Sequence, residues 1–217
     1  MRKWDKLKFI EQNGIVAVIR KIDPSILEQV VRALVDGGVK VIEITVDSEN
    51  SYYFIAKLKE KYGDELLIGA GTVLDAFTAK TAIDANADFI FSPTFNKETV
   101  QLTNQYGRIT IPGVLTPTEI LNAYSAGADI LKVFPGAALG AIYFKDVLGP
   151  LTHIPLMPTG GINLENLNQF LSNGAIAVGI GGALINNQLI ANRDFDGIKS
   201  LANKFSSTFK EVKGIEN

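Results

Sequence analysis

The chain contains the segment Ala128-Asp129-Ile130-Leu131-Lys132-Val133-Phe134-Pro135-Gly136, a short apolar run with one lysine at its centre. An apolar run of this length, bounded by turn-forming residues, is typical of a buried strand. A charged lysine in such a strand loses its hydration, so burial favours the neutral amine. The segment therefore predicts one element of the fold and one candidate nucleophile for Schiff-base chemistry, Lys132.

Apolar runs of the same kind recur along the chain and alternate with amphipathic segments. Together they predict eight strands: 15–20, 41–46, 67–73, 89–93, 109–114, 130–134, 156–159 and 175–180. The other segments predict eight helices: 24–36, 51–62, 76–85, 97–105, 117–125, 141–148, 164–172 and 195–212. Residues 1–13 predict a further short helix before the first strand.

Eight strand-and-helix repeats in 217 residues favour a single α/β domain over residues 1–217, a (β/α)8 TIM barrel with a short N-terminal helix. The competing fold is a doubly wound open sheet, which has about five to seven strands and a glycine-rich turn after the first. No such turn follows Arg20. The closed barrel is therefore the predicted fold.

The composition argues against several classes of protein. The 21 basic and 23 acidic residues give a net charge of −2, unlike the basic surface of a nucleic-acid-binding protein. With no cysteine and a single histidine, His153, the chain cannot build a disulfide framework, a thiolate site or a multi-histidine zinc site. We expect no metal and no cofactor. Since no run reaches about 18 apolar residues, we also expect no membrane partner and a cytoplasmic location.

Strand alternation places two ionisable side chains inside the barrel. In the strand 41–46, Ile42, Ile44 and Val46 share one face that must pack against helices, so Glu43 points into the barrel. The same alternation turns Lys132 inward. A buried structural ion pair is the alternative interpretation. Polar groups near the C-terminal mouth of a barrel are, however, typical of active sites.

Three further polar residues end strands that converge on this mouth. Arg20 ends the first predicted strand, Thr72 lies near the end of the third, and Thr159 ends the seventh. We expect them to join Lys132 and Glu43 at the C-terminal mouth, where barrel active sites form. The alternatives are that the threonines are ordinary β-branched strand residues and that the arginine is a solvated strand end.

The charge state of Lys132 follows from the same placement. Burial and the positive charge of Arg20 lower its pKa, whereas an ionised Glu43 raises it. We predict a net lowering, which increases the fraction of neutral amine available to attack a ketone.

Two glycine pairs follow the seventh and eighth predicted strands. These are Gly160 with Gly161 and Gly181 with Gly182. Glycine lets backbone N–H groups approach a ligand, and barrel loops after strands 7 and 8 frequently bind phosphate. The pairs predict a phosphorylated substrate, and the alternative is that they only form tight turns.

Seven short motifs run in order between residues 4 and 183: Glu43-Ile44-Thr45, Gly69-Ala70-Gly71-Thr72-Val73-Leu74, Ser92-Pro93, Ile111-Pro112-Gly113-Val114, Leu131-Lys132-Val133-Phe134-Pro135, Pro158-Thr159-Gly160-Gly161-Ile162 and Gly179-Ile180-Gly181-Gly182. This ordered set resembles the 2-keto-3-deoxy-6-phosphogluconate (KDPG) aldolases, which also act as 4-hydroxy-2-oxoglutarate (KHG) aldolases. The resemblance implies a class I lyase, usually a homotrimer, in which Lys132 forms the Schiff base and Glu43 is the acid and base. It implies cleavage of KDPG to pyruvate and glyceraldehyde 3-phosphate, and of KHG to pyruvate and glyoxylate. For such a 2-keto acid, we expect Arg20, Thr72 and Thr159 to bind the substrate carboxylate.

Two positions depart from the pattern of that family. Many members have a substrate-binding arginine where this chain has Asp47, and a serine often stands where it has Ala183. Members that act on the galactonate epimer resemble this chain in lacking that arginine and in having one at the position of Arg20. A 2-dehydro-3-deoxy-6-phosphogalactonate aldolase is therefore an alternative. Because Ala183 has no hydroxyl, phosphate binding would depend more on backbone N–H groups.

Two other classes of protein remain open from the sequence. One is a barrel enzyme that acts on a phosphorylated substrate and uses the lysine as an acid, without a covalent adduct. The other is a noncatalytic barrel that binds a phosphosugar and cleaves no carbon–carbon bond.

Overall fold

The computed structural model describes residues 1–215 and alternates short strands with helices. The strands are β1 (Ile15–Ile19), β2 (Val41–Thr45), β3 (Leu67–Gly71), β4 (Phe89–Phe91), β5 (Ile109–Ile111), β6 (Gly113–Val114), β7 (Leu131–Val133), β8 (Leu156–Pro158) and β9 (Val178–Ile180). The helices are α1 (Lys3–Asn13), α2 (Leu27–Asp36), α3 (Ser51–Tyr62), α4 (Ala76–Asp84), α5 (Lys97–Gln105), α6 (Pro117–Ser125), α7 (Gly136–Leu139), α8 (Ile142–Leu148), α9 (Leu167–Ser172), α10 (Asn187–Ala191) and α11 (Phe195–Lys213).

The strands close into a parallel barrel. Six of them pair in the order β5-β4-β3-β2-β1-β9, and three pair in the order β6-β7-β8. A parallel bridge between Thr159 and Gly179 joins the end of β8 to β9. At the other junction β5 and β6 are separated only by Pro112, which has no N–H to donate to a ladder. The two segments form one interrupted barrel strand, and the predicted eight-stranded barrel is confirmed.

Two apolar layers hold the barrel together. The outer layer, between strands and helices, includes Ile42 and Ile44 of β2 and Leu131 and Val133 of β7. The inner layer fills the barrel with residues from most of the strands and from α1: Ile10, Val16, Val41, Leu67, Phe89, Phe91, Ile109, Ile111, Ile130 and Met157. The faces predicted for the second and sixth barrel strands are therefore confirmed.

Buried and partly buried ion pairs from α1 and α3 lie at the N-terminal end of the barrel. Lys6 Nζ lies 2.6 Å from Asp88 Oδ1, and Lys59 Nζ lies 2.8 Å from the other carboxylate oxygen. Lys3 Nζ lies 2.8 Å from Asp129 Oδ2. Asp88 immediately precedes β4 and Asp129 lies two residues before β7. These contacts therefore stabilise the end of the barrel opposite the mouth.

Several element boundaries differ from the sequence prediction. The second helix begins at Leu27 rather than residue 24, because the Asp23 side chain accepts from the Ser25 N–H (2.8 Å) and forms a turn first. Helix α9 begins at Leu167 for the same reason, after a turn made by Asn163. The short helices α7 and α10 were not predicted. Within residues 1–215, no helix combines the length and apolar character needed to cross a membrane.

Candidate active site

Lys132 and Glu43 both point into the barrel near its C-terminal mouth. Lys132 is the central residue of β7 and Glu43 is the central residue of β2. Their exposed fractions are 6% and 1%. The alternation of the two strands therefore brings an amine and a carboxylate, 89 positions apart in the sequence, into one water-poor interior.

The Glu43 carboxylate occupies space that a glycine leaves free. A Cβ atom placed on Gly71 would lie 1.4 Å from Glu43 Oε1, so no larger residue fits there without moving the carboxylate. Oε2 of the same carboxylate is buried and has no hydrogen-bond partner among the described residues. The role of Gly71 was not predicted from the sequence. The available signal was a glycine at the end of a strand neighbouring an inward glutamate.

Burial shifts the pKa values of both groups towards neutrality. Desolvation raises the pKa of Glu43 to about 7, against the charges of Lys132 and Arg20, while Asp47 adds to the rise. Desolvation lowers the pKa of Lys132 to about 8; Glu43 opposes this shift and Arg20 reinforces it. The direction for Lys132 agrees with the sequence prediction. Both groups can therefore exchange protons near neutral pH.

Arg20 is held at the rim by two side chains. Its Nη2 donates to Thr72 Oγ1 at 2.8 Å, and its Nη1 donates to Asp47 Oδ2 at 3.1 Å. Thr72 has a φ of 59°, a left-handed conformation that is uncommon for a threonine. Burial acts to raise the pKa of the Asp47 carboxyl. A hydrogen bond from Thr45 and the charges of Arg20 and Lys21 outweigh this effect, so the pKa is lowered. The residue that replaces the family arginine therefore orients a different arginine.

Thr159 follows β8 at the mouth and carries a second buried polar atom without a partner. Its Oγ1 makes no hydrogen bond among the described residues, and the residue is buried. Gly179, its partner across the bridge, leaves room for it, since a Cβ there would lie 2.4 Å from Oγ1. Buried polar groups normally have hydrogen-bond partners, so the unpartnered oxygens of Thr159 and Glu43 are available to a polar ligand.

The two glycine pairs lie after β8 and β9, as predicted. Gly160 and Gly161 have φ values of 91° and 76°, which a side chain would strain. Gly182 has open space where a Cβ would stand. Within residues 1–215, none of the N–H groups of these three residues or of Gly181 donates to a protein acceptor. Unsatisfied N–H groups at strand ends can bind an anion.

Strand alternation predicts Phe134 on the same inward face as Lys132, whereas the contact of Phe91 with the amine was not predicted. The rings of Phe91 and Phe134 flank the Lys132 Nζ, which lies 4.2 Å and 4.8 Å from their centroids. Among the described residues, no group of three or more acidic or histidine side chains could hold a metal ion.

A buried amine and a buried carboxylate at the mouth of a parallel barrel suit an enzyme that works through an amine nucleophile. The chain belongs to the KDPG and KHG aldolase family, whose sequence model matches residues 7–201. It is 33% identical to 2-dehydro-3-deoxy-6-phosphogalactonate aldolase of Escherichia coli (strain K12) over 171 residues, 78% of this chain and 83% of that one. It is 34% identical to 2-dehydro-3-deoxy-phosphogluconate aldolase of Treponema pallidum (strain Nichols) over 172 residues, 79% of this chain and 81% of that one.

Solved structures show the same architecture. A native KDPGal structure superposes with a TM-score of 0.85 at 30% identity, covering 92% of this chain and 96% of that one. A KDPG aldolase from Legionella pneumophila, with pyruvate captured as a covalent carbinolamine intermediate, superposes with a TM-score of 0.84 at 27% identity. That match covers 91% of this chain and 96% of the other.

Proposed function

We propose that this chain is a class I aldolase that cleaves KDPG to pyruvate and glyceraldehyde 3-phosphate, and that also cleaves KHG to pyruvate and glyoxylate. The observation that carries the proposal is the Lys132 amine, buried at the barrel mouth with a lowered pKa beside Glu43. Membership of the KDPG and KHG aldolase family supplies the substrate class.

In the proposed mechanism, neutral Lys132 attacks the C2 ketone of the substrate and forms a carbinolamine. Loss of water from the carbinolamine leaves an iminium, which accepts the electron pair of the C3–C4 bond as that bond breaks. The aldehyde departs and an enamine remains. Protonation at C3 and hydrolysis of the iminium release pyruvate and restore the amine.

Glu43 is the proposed acid and base of this sequence. With a pKa near 7, it can donate a proton to the departing hydroxyl of the carbinolamine and accept the proton of the C4 hydroxyl during cleavage. It then returns a proton to C3 of the enamine. Its partnerless Oε2 supports this role, because a bound substrate would supply the missing hydrogen-bond partner.

We assign the substrate carboxylate to Arg20, Thr72 and Thr159. The partnerless hydroxyl of Thr159 and the guanidinium group held on Thr72 support this assignment. The phosphate would bind the N–H groups of the loops after β8 and β9, at Gly160, Gly161, Gly181 and Gly182. Their free donors support that position.

The galactonate epimer is the second candidate substrate. It is favoured by the Asp47–Arg20 pair, which stands where many family members have an arginine that binds substrate, and by the relative from Escherichia coli. In either case the partner would be a small phosphorylated 2-keto acid.

The proposal extends to the state of the protein in the cell. We infer from the family resemblance that the protein is a homotrimer and that residues 1–217 of each subunit form a single domain. We also infer a cytoplasmic location. The net charge of −2 supports the absence of a nucleic-acid partner. Size-exclusion chromatography with light scattering would give the mass of three chains.

A pyruvate-release assay tests the proposed activity. Purified protein would be mixed with KDPG, its galactonate epimer or KHG, and pyruvate would be measured with lactate dehydrogenase. We expect cleavage of KDPG that Lys132→Met abolishes and that Glu43→Gln slows by about 10²- to 10⁴-fold. No pyruvate from any substrate would indicate a noncatalytic barrel. Cleavage that persists in Lys132→Met would rule out the lysine as nucleophile.

A further inference from the structure

Phe91 presents its ring to the amine of Lys132 inside the barrel. The distance from Nζ to the ring centroid is 4.2 Å, well within the range of a cation–π contact. Phe91 is fully buried, whereas the second ring near Nζ, that of Phe134, is 38% exposed at the mouth. Phe91 is therefore the ring that faces the amine from the side closed to solvent.

The neighbouring strand fixes the position of the Phe91 ring. Gly71 of β3 pairs with Phe91 of β4, and Gly69 pairs with Phe89. The Phe89 ring fills the space over Gly69, since a Cβ there would lie 2.1 Å from it. Phe89 then meets Phe91 edge to face, with centroids 6.4 Å apart. Gly69 thus makes room for the Phe89 ring and Gly71 for the Glu43 carboxylate. The Phe89 ring packs against the Phe91 ring, which lies under the Lys132 amine.

We propose that Phe91 is a positioning residue that stabilises positive charge on the Lys132 nitrogen, first in the ammonium ion and then in the iminium formed with substrate. The negative face of the ring attracts a cation, and the attraction is stronger where water is excluded. The ring offsets part of the desolvation that the cation experiences in the barrel. This inference rests on the proposed role of Lys132 as the Schiff-base residue.

Other charges also act on the Lys132 nitrogen. Glu43 on β2 favours its charged form, and Arg20 after β1 disfavours it; Asp47 acts on Glu43. A test of Phe91 must therefore leave all three in place. Changing the electronic character of the ring without changing its size meets this condition.

The decisive variant replaces Phe91 with 3,4,5-trifluorophenylalanine, which nearly keeps the shape of the ring and withdraws electron density from its face. The pKa of Lys132 would be read from the pH dependence of acetylation by acetic anhydride, quantified on the peptide that contains residue 132. We expect a lower pKa than in the unmodified protein. With Phe91→Leu we expect a larger decrease, of about 0.4 to 1.5 pH units, the equivalent of one cation–π contact.

The matched control places the same fluorinated residue at position 89, where the ring contacts Phe91 but not the amine. We expect no change in the pKa of Lys132 there. An unchanged or higher pKa with the fluorinated ring at position 91, or with Phe91→Leu, would overturn the inference. An equal decrease from position 89 would overturn it as well.

The labelling experiment needs no substrate, so it separates this inference from the proposed function. If fluorination lowers the pKa of Lys132 while the wild-type protein forms no adduct with pyruvate, the ring effect stands and the aldolase mechanism fails. If the adduct forms and the pKa does not respond, the mechanism stands and the role of Phe91 fails.

Discussion

The pH dependence of deuterium loss from pyruvate tests the charge states of Lys132 and Glu43 together. Pyruvate with a deuterated methyl group would exchange with solvent through the iminium and enamine, which require the neutral amine and a carboxylate able to take up a proton. Pyruvate itself does not titrate between pH 6 and 9. Any change in the catalysed exchange rate over this range therefore reflects titration of groups on the protein.

The expected magnitude follows from the two pKa values. With a pKa of about 8, Lys132 is neutral in about 1% of molecules at pH 6 and about 50% at pH 8. With a pKa of about 7, Glu43 is ionised in about 9% of molecules at pH 6 and about 91% at pH 8. If both forms are needed, kcat/KM for exchange rises about 500-fold between these values and levels off above pH 9.

Mass spectrometry of the recovered pyruvate would follow the exchange at subsaturating substrate. Glu43→Gln removes one titration, and it also removes a charge that raises the pKa of Lys132. The residual exchange of that variant should therefore rise at most about 50-fold from pH 6 to 8. A flat wild-type profile, or one that keeps rising to pH 10 as for an ordinary lysine, would show that the two shifted pKa values do not control the exchange.

Three substitutions test other parts of the structure. Gly71→Ala should displace the Glu43 carboxylate and slow pyruvate exchange about 100-fold, measured as above; an unchanged rate would show that the carboxylate has freedom to move. Asp88→Asn leaves two buried lysines without their counter-charge and should lower the free energy of unfolding, measured in urea, by about 3–5 kcal/mol. The control Asp84→Asn breaks an exposed ion pair and should lower it by less than about 1 kcal/mol. Thr159→Val removes a partnerless hydroxyl, so it should leave the urea midpoint unchanged and raise the KM for pyruvate about tenfold; a normal KM would remove Thr159 from the carboxylate site.

The barrel and the inward direction of its two ionisable residues could be predicted from the sequence. Alternation within a single strand is enough to place Glu43 opposite Ile42 and Ile44, and eight such strands in series limit the possible folds. The same pattern turned Lys132 towards the interior. The inward directions needed only the neighbours within the same strand, and the barrel needed only the order of the strands and helices.

The finer geometry of the site could not be predicted in this way, because it depends on register between strands distant in sequence. The contact of Phe91 with the lysine and the space that Gly71 leaves for the carboxylate arise only when β3, β4 and β7 are aligned. The Asp47–Arg20 pair likewise joins the ends of two different strands. The interruption of the fifth strand at Pro112 was readable in principle, since proline donates no ladder hydrogen bond.

Reductive trapping of pyruvate tests whether the Lys132 amine forms a Schiff base. Protein, pyruvate and sodium borohydride would be combined near pH 8, digested and mapped by mass spectrometry. We predict a gain of roughly 72 Da on the peptide containing Lys132, and no gain in Lys132→Met. A gain confined to another lysine, or none under conditions that support cleavage, would show that Lys132 is not the Schiff-base residue.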